Sequence, residues 1–363
     1  MIYFTHSSSS GAIDCKCEKI LSAIGVLTLK NNRQIYMDII LPNEFLPTSL
    51  NRLQADLAKN QHVDNINVDF SPLVFSKPLG MLVAGSYFRR WISIRRAEGL
   101  KTTHTGITTK RNAHSYLMHL GFFDYAGMNN VGNKIGVAQG NTRYLPIREI
   151  KRQDLEDSVK ETGEKLIDAI VFVSDGLANV LAGADTGEIK KSFSYSIREV
   201  IRNALEHSGA ESCFICGQRW VNGHSEIAII DEGAGIYNTL SPVYDVTNED
   251  VLEHAIKPGV SRTHKMSEEE NIYGNSGFGL FVLSELGRSF GWFCLGSGMK
   301  KLTCANQNRT TVDLPYEGTF VGIHLNSSPL SFSGVLSDII SSGEQEAQKE
   351  GRTSAASEIS KTI

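Results

Sequence analysis

The sequence predicts an α/β (α+β) fold made of two units, and three observations support this prediction. Apolar segments of strand length alternate with segments in which apolar residues recur every three or four positions. The chain has 363 residues, a length typical of two domains, and 41% of them are hydrophobic. Serines and charged residues dominate after Leu325. We therefore expect a first α/β unit over 1–145, a second over 146–330 and a polar tail over 331–363, disordered or with a marginal helix beyond Ser341.

The elements of the first unit are predicted from turn residues and apolar runs. The pair Asn31-Asn32 separates two apolar runs, and Pro72 follows the end of a third. We expect strands over 24–29, 35–41 and 66–70, helices over 47–59, 79–91 and 112–120, and a glycine- and asparagine-rich loop over 127–140. This alternation is typical of an α/β layer.

The second unit opens with a long helical pattern over 154–181, and a helix with a polar stripe follows. Glu199, Asn203 and His207 are four residues apart, so they lie on one face of that helix. Apolar residues form the remaining surface, which predicts that the opposite face is buried. The alternative interpretation is an exposed polar stripe without chemistry, and for His207 a structural role is the expected one.

An acidic residue follows the next predicted strand. The apolar run 226–230 stops at Asp231, and Gly233 and Gly235 come directly after it. Glycines next to a carboxylate allow a ligand to approach the backbone closely. The alternative is that Asp231 is a turn residue.

A second glycine cluster, 274–280, opens a further helix. Free N–H groups and the positive end of the helix dipole make a helix N-terminus suitable for phosphates. Farther on, Gly318 and Thr319 precede an apolar strand over 320–325. Ordinary turns are the alternative for each glycine, but four such pieces in a defined order are a specific pattern.

Together, these pieces resemble the motifs of the GHKL ATPases, which include gyrase and the histidine kinases. The N box is matched by Glu199 and Asn203, the G1 box by Asp231, Gly233, Gly235 and Ile236, the G2 box by Gly277, Gly279 and Leu280, and the last element by Gly318-Thr319. The resemblance covers about 154–325. It implies a Bergerat α/β sandwich with a mixed sheet.

The resemblance also implies ATP and Mg²⁺ as cofactors. Asp231 would accept a hydrogen bond from the adenine amine, and Asn203 would offer its oxygen to Mg²⁺, a hard cation that prefers oxygen ligands. The implied cofactor-binding residues are Asn203, Asp231, Gly233, Gly235, Ile236, Ser276, Gly277, Gly279, Leu280 and Thr319.

Glu199 is the implied catalytic residue, because in the hydrolysing and serine-phosphorylating members this glutamate is the general base. The segment 240–273 lies where the family has its ATP lid. Lys257, Arg262 and Lys265 of that segment could approach phosphates, although a solvated loop is the expected state of any one of them.

In the first unit, the segment 68–88 resembles the centre of a STAS domain, the anti-sigma-antagonist fold. That family has a phosphorylatable serine just before a helix, and the aligned position here is Pro78. We therefore expect a STAS-like interaction module without a phosphoacceptor, although Ser76 lies nearby. A generic α/β unit is the alternative.

Composition and charge argue against several other classes of protein. A net charge of −4 argues against a general nucleic-acid or membrane surface. The chain has no apolar run of membrane-helix length and no signal-peptide pattern at its start, so we expect a cytoplasmic protein with reduced cysteines. Cys15-x-Cys17 and Cys213-x-x-Cys216 are not expected to form a zinc site.

The sequence thus predicts a GHKL-type regulatory ATPase whose nucleotide state controls a protein partner through the first unit, with a homodimer possible. An anti-sigma-type serine kinase and an ATP-sensing module without turnover are the alternatives. A histidine kinase is disfavoured, since the helical segment 154–182 contains no histidine.

Overall fold

A computed structural model of the chain describes residues 37–182, 187–262, 276–326, 330–352 and 355–361. The strand predicted over 24–29 and the pair Cys15-x-Cys17 lie outside these residues. The fold combines helices with parallel and antiparallel sheets, which confirms the predicted α/β (α+β) class.

The first unit contains a three-stranded parallel sheet in the order β1-β3-β5 and a short parallel pair β2-β4. Its elements are β1 (Met37–Ile40), β2 (Glu44–Phe45), α1 (Leu50–Lys59), β3 (Asn65–Asp69), β4 (Phe75–Ser76), α2 (Pro78–Ala97), β5 (Lys101–Thr105), α3 (Asn112–Leu120) and α4 (Phe122–Tyr125). In β3, Ile66 and Val68 are buried at alternate positions, as expected for one face of a strand. Pro78 is the first residue of α2, where a missing N–H costs nothing.

The second unit contains a five-stranded sheet in the order β6-β7-β8-β10-β9. Its elements are β6 (Tyr144–Lys151), α5 (Arg152–Thr162), α6 (Leu166–Ala182), α7 (Glu188–His207), β7 (Ser212–Arg219), β8 (Ser225–Asp231), α8 (Gly235–Leu240), α9 (Val251–Ala255), α10 (Gly279–Phe290), β9 (Gly291–Ala305) and β10 (Asn308–Leu325).

Every pairing in this five-stranded sheet is antiparallel, whereas a mixed sheet was expected for the second unit. Short connections join β7 to β8 and β9 to β10, and such hairpins produce antiparallel neighbours. The turn after β9 uses Asn306 and Gln307 with positive φ, the backbone geometry of a tight hairpin. Parallel pairing is confined to the first unit among the described strands.

The five-stranded sheet separates two apolar cores. On one face, Ile215 and Ile229 belong to a core shared with α6, α7 and α10. On the other face, Phe214 and Ile230 belong to a core that includes the buried side of α2. Cys213 and Cys216 of β7 are in different cores, so they cannot ligate one zinc ion.

The first unit is therefore packed against the sheet of the second. The N–H of Leu79, in the first turn of α2, donates to the buried Glu226 carboxylate of β8 over 3.0 Å. A carboxylate at a helix N-terminus satisfies a free N–H and interacts favourably with the helix dipole. The other Glu226 oxygen lies 3.3 Å from His324 Nδ1.

The expected disordered tail instead contains helix α11 (Phe332–Lys349), followed by the short α12 (Glu358–Lys361). The Ser331 hydroxyl accepts a hydrogen bond from Gly334 N–H and caps the helix start. Phe332, Leu336 and Ile340 recur at helical spacing and are buried. The helix extends beyond its last large apolar residue because the small residues Gly343 and Ala347 continue the buried stripe.

None of the helices in the described ranges is long and apolar enough to cross a membrane.

Candidate functional site

A cavity of about 70 Å³ lies between α7, the end of β8 and the start of α10, and we call it the central cavity. Eight residues of the predicted site line it: Asn203, Asp231, Gly235, Ile236, Gly277, Gly279, Leu280 and Thr319. Its other walls are mainly apolar, with Val200, Ala204, Ile229, Leu240, Val260 and Val321.

Asp231 ends β8 and lies opposite Thr319 in the β8–β10 pairing. Its side chain is buried, and Oδ1 accepts a hydrogen bond from the Gly233 N–H over 3.0 Å. Burial raises the pKa of Asp231 to about 7, while the hydrogen bond from Gly233 opposes this effect. The cavity therefore contains a carboxyl group that changes charge near neutral pH.

The loop after Asp231 is held by Ser297 of β9. The Ser297 hydroxyl accepts from the Ile236 N–H over 2.9 Å and donates to the Gly318 carbonyl over 2.6 Å. One side chain thus connects the start of α8 to the strand that carries Thr319. The sequence gives no signal for this role, because Ser297 lies in a strand outside the recognised motifs.

The glycine segment before α10 is fixed by close packing. Gly277 has a φ of +77°, and a Cβ there would lie 2.6 Å from the Val260 carbonyl oxygen. The Gly277 carbonyl accepts from the Gly259 N–H over 3.1 Å. Only glycine fits this backbone and this approach. As a result, the N–H groups of the first turn of α10 lie beside the cavity.

Asn203 of α7 lines the cavity next to these glycines, and its Nδ2 has no hydrogen-bond partner in the part of the chain that the structure describes. The described residues include no group of three or more His, Cys, Asp or Glu side chains suited to a metal ion. Magnesium that is carried by a nucleotide takes most of its ligands from phosphates and water. A single amide oxygen at this place fits that requirement.

No protein-family model matches this chain, and no match is found among curated proteins. The GHKL resemblance therefore depends on the motif residues and on their positions around the cavity.

Glu199, the predicted general base, does not line the cavity. It is fully buried, and its carboxylate forms ion pairs with Arg198 Nε at 3.2 Å and Arg202 Nη2 at 3.3 Å. The carboxylate packs against the first residue of α10, since a Cβ on Gly279 would lie 2.4 Å from Glu199 Oε2. In this arrangement Glu199 is held by arginines rather than directed at a nucleophile.

Two other predicted residues also lie outside the lining of the central cavity. Gly233 borders a separate groove of about 800 Å³ between the two units. The Ser276 hydroxyl lies 3.4 Å from the hydroxyls of Ser357 and Ser360, beside α12. Of the predicted lid, Arg262 lines the central cavity, whereas 263–275, including Lys265, and the side chain of His207 lie outside the described residues.

In the STAS-like segment, Ser76 is 5% exposed and pairs in β4 with β2. The N-terminus of α2, where Pro78 is found, faces the Glu226 carboxylate. The absence of a phosphoacceptor in this segment stays a prediction.

Proposed function

We propose that this protein is a GHKL-type, ATP-binding regulatory protein whose nucleotide state is transmitted to a protein partner through the first unit. The observation that carries the proposal is Asp231, a buried carboxylate at the end of β8 that opens on an apolar cavity. A buried acceptor between apolar walls suits a flat base with an exocyclic amine. Thr319, paired opposite Asp231, adds a second polar group.

The remaining groups suit the rest of the nucleotide. Phosphates would be bound by the N–H groups at the start of α10, beside Gly277 and Gly279. Asn203 would hold the magnesium ion, which when bound neutralises phosphate charge. Arg262 adds a cationic side chain at the edge of the cavity.

A direct path leads from this loop to the first unit. Glu232, the residue after Asp231, accepts a hydrogen bond from the Ser86 hydroxyl over 2.6 Å and pairs with Arg89 Nη2 at 2.7 Å. Ser86 and Arg89 both belong to α2. A nucleotide that shifts the loop after Asp231 would therefore act on α2 through Glu232.

ATP sensing without turnover is a second candidate, and the position of Glu199 favours it. A general base must reach the proton that it removes. Here the carboxylate is buried between two arginines and lies off the cavity. Hydrolysis would require Glu199 to leave these ion pairs.

The test is calorimetric binding of Mg·ATP to wild type and to Asp231→Asn at pH 8. The amide keeps the shape but loses charge and acceptor capacity, so we expect at least tenfold weaker binding, or about 1.5–3 kcal/mol. Asp245→Asn, an exposed aspartate on the segment after α8, is the matched control and should bind as wild type does. Wild-type affinity in Asp231→Asn would refute the proposal.

A further inference from the structure

Three charged residues on α7 form a buried cluster behind Asn203. Glu199 pairs with Arg198 on one oxygen and with Arg202 on the other, at 3.2 and 3.3 Å. All three are at most 5% exposed. Two guanidinium groups and one carboxylate leave this cluster with one net positive charge.

Within this cluster, the N–H donors of Arg202 lack hydrogen-bond acceptors. Its Nε, Nη1 and Nη2 atoms are buried and have no hydrogen-bond partner among the described residues, beyond the ion pair to Glu199. A guanidinium carries five N–H donors, and burying them without acceptors is costly. The cluster therefore lacks an acceptor, and its net charge favours an anionic one.

Arg202 is buried and does not itself line the central cavity, but its neighbours connect it to the phosphate end of that cavity. The Glu199 carboxylate that Arg202 contacts packs against Gly279, the first residue of the twelve-residue helix α10. Asn203, adjacent to Arg202 in sequence, lines the cavity itself. The positive end of the α10 dipole and the net charge of the cluster thus act on the same small volume.

We propose that Arg202 binds the terminal phosphate of ATP and thereby makes the site selective for nucleoside triphosphates over diphosphates. The inference rests on the proposed ATP site and identifies Arg202 as the residue that distinguishes a nucleoside triphosphate from a diphosphate. A phosphate oxygen supplies the acceptor that Arg202 lacks, and arginine donors suit phosphate oxygens well. Glu199 then keeps Arg198 and loses one of its two partners.

The test compares binding of Mg·ATP and Mg·ADP by calorimetry in wild type, Arg202→Met and Arg202→Lys. We expect Arg202→Met to bind ATP at least tenfold more weakly and ADP within about twofold of wild type, so that the ATP/ADP preference collapses. Arg202→Lys keeps the charge but loses the planar fork, and it should retain part of the preference.

Arg198→Met is the matched control, because it removes the other ion pair of Glu199 and should leave the ATP/ADP ratio unchanged. Thermal unfolding of each variant reports folding. An equal loss of ATP and ADP affinity, an unchanged ratio in folded Arg202→Met, or unfolding of both Arg202 variants would each overturn the inference. If wild type binds neither nucleotide, the proposed ATP site itself fails, whereas a failure confined to the ratio leaves that site intact.

Discussion

Arg95 in the first unit and Arg202 in the second are both fully buried, yet their surroundings differ. Arg95 donates from Nε to the Thr102 hydroxyl and from its Nη atoms to backbone carbonyl oxygens of Asn60, Gln61, Val63 and Lys101. Arg202 has one ion pair and no hydrogen bond among the described residues. The difference indicates that Arg95 serves the fold, and it is consistent with the proposal that Arg202 binds a ligand.

The largest expected effect is the loss of stability on substitution of Arg95, the arginine whose donors have acceptors. Arg95→Met should destabilise the protein by about 3–5 kcal/mol, because several buried carbonyl oxygens lose their donor at once. Arg202→Met should cost less stability, since it breaks one ion pair and removes donors that lack acceptors, while Glu199 keeps its ion pair with Arg198. Urea denaturation followed by circular dichroism measures both changes. If the two variants lose equal stability, the distinction between the arginines is wrong.

An intermediate effect is expected from the titration of Asp231. Burial raises the pKa of Asp231 to about 7, so the folded protein keeps a proton on this carboxyl up to that pH. The unfolded chain releases the proton at about pH 3.9. The contribution of this group to stability is therefore fully present below about pH 4 and is lost as pH rises through 7. Asp231→Asn should consequently unfold at a higher temperature than wild type at pH 8.

Binding should show the opposite dependence on pH. An ionised Asp231 accepts hydrogen bonds from the base better than a protonated one, so ATP affinity should rise about tenfold between pH 6 and pH 8, with a midpoint near 7. Asp231→Asn should remove most of this rise. Calorimetry across that pH range is the measurement, and a flat wild-type profile would contradict the role of Asp231.

The smallest effect is expected from a substitution of Glu226. Like Asp231 it is a buried carboxylate of β8, and both of its oxygens have partners within the protein. Glu226→Gln keeps an acceptor for the Leu79 N–H but loses the charge at the start of α2. We expect a loss of about 0.5–2 kcal/mol in stability and unchanged ATP affinity. Denaturation and calorimetry of the same sample test both points. A marked change in ATP affinity would show that the contact between Glu226 and α2 influences the proposed ATP site.

Local chemistry made much of the central cavity predictable. Asp231 stops an apolar run, Asn203 falls on a helical stripe, and Gly277 precedes a helix; each signal depends only on neighbours in sequence. The structure brings these residues together around one cavity.

The parts that were missed depend on distant contacts. Arg198 and Arg202 resemble exposed charges on an amphipathic helix, and nothing local indicates that they are buried together with Glu199. Two of the five buried residues of helix α11, Gly343 and Ala347, are small, so the burial of its C-terminal half could not be predicted from hydrophobicity. Two of the four antiparallel pairings in the five-stranded sheet, β6–β7 and β8–β10, likewise join segments far apart in sequence.

The position of α2 on the five-stranded sheet has a practical consequence for anyone who divides this chain. A fragment that begins at residue 146 would expose Phe214, Ile230 and Phe320, which α2 and its neighbours cover in the intact protein. Such a fragment should aggregate and be poorly soluble, because a wide exposed apolar sheet face promotes self-association. Under the proposed function, a partner would then recognise the two units together, through small displacements of α2 rather than through its release.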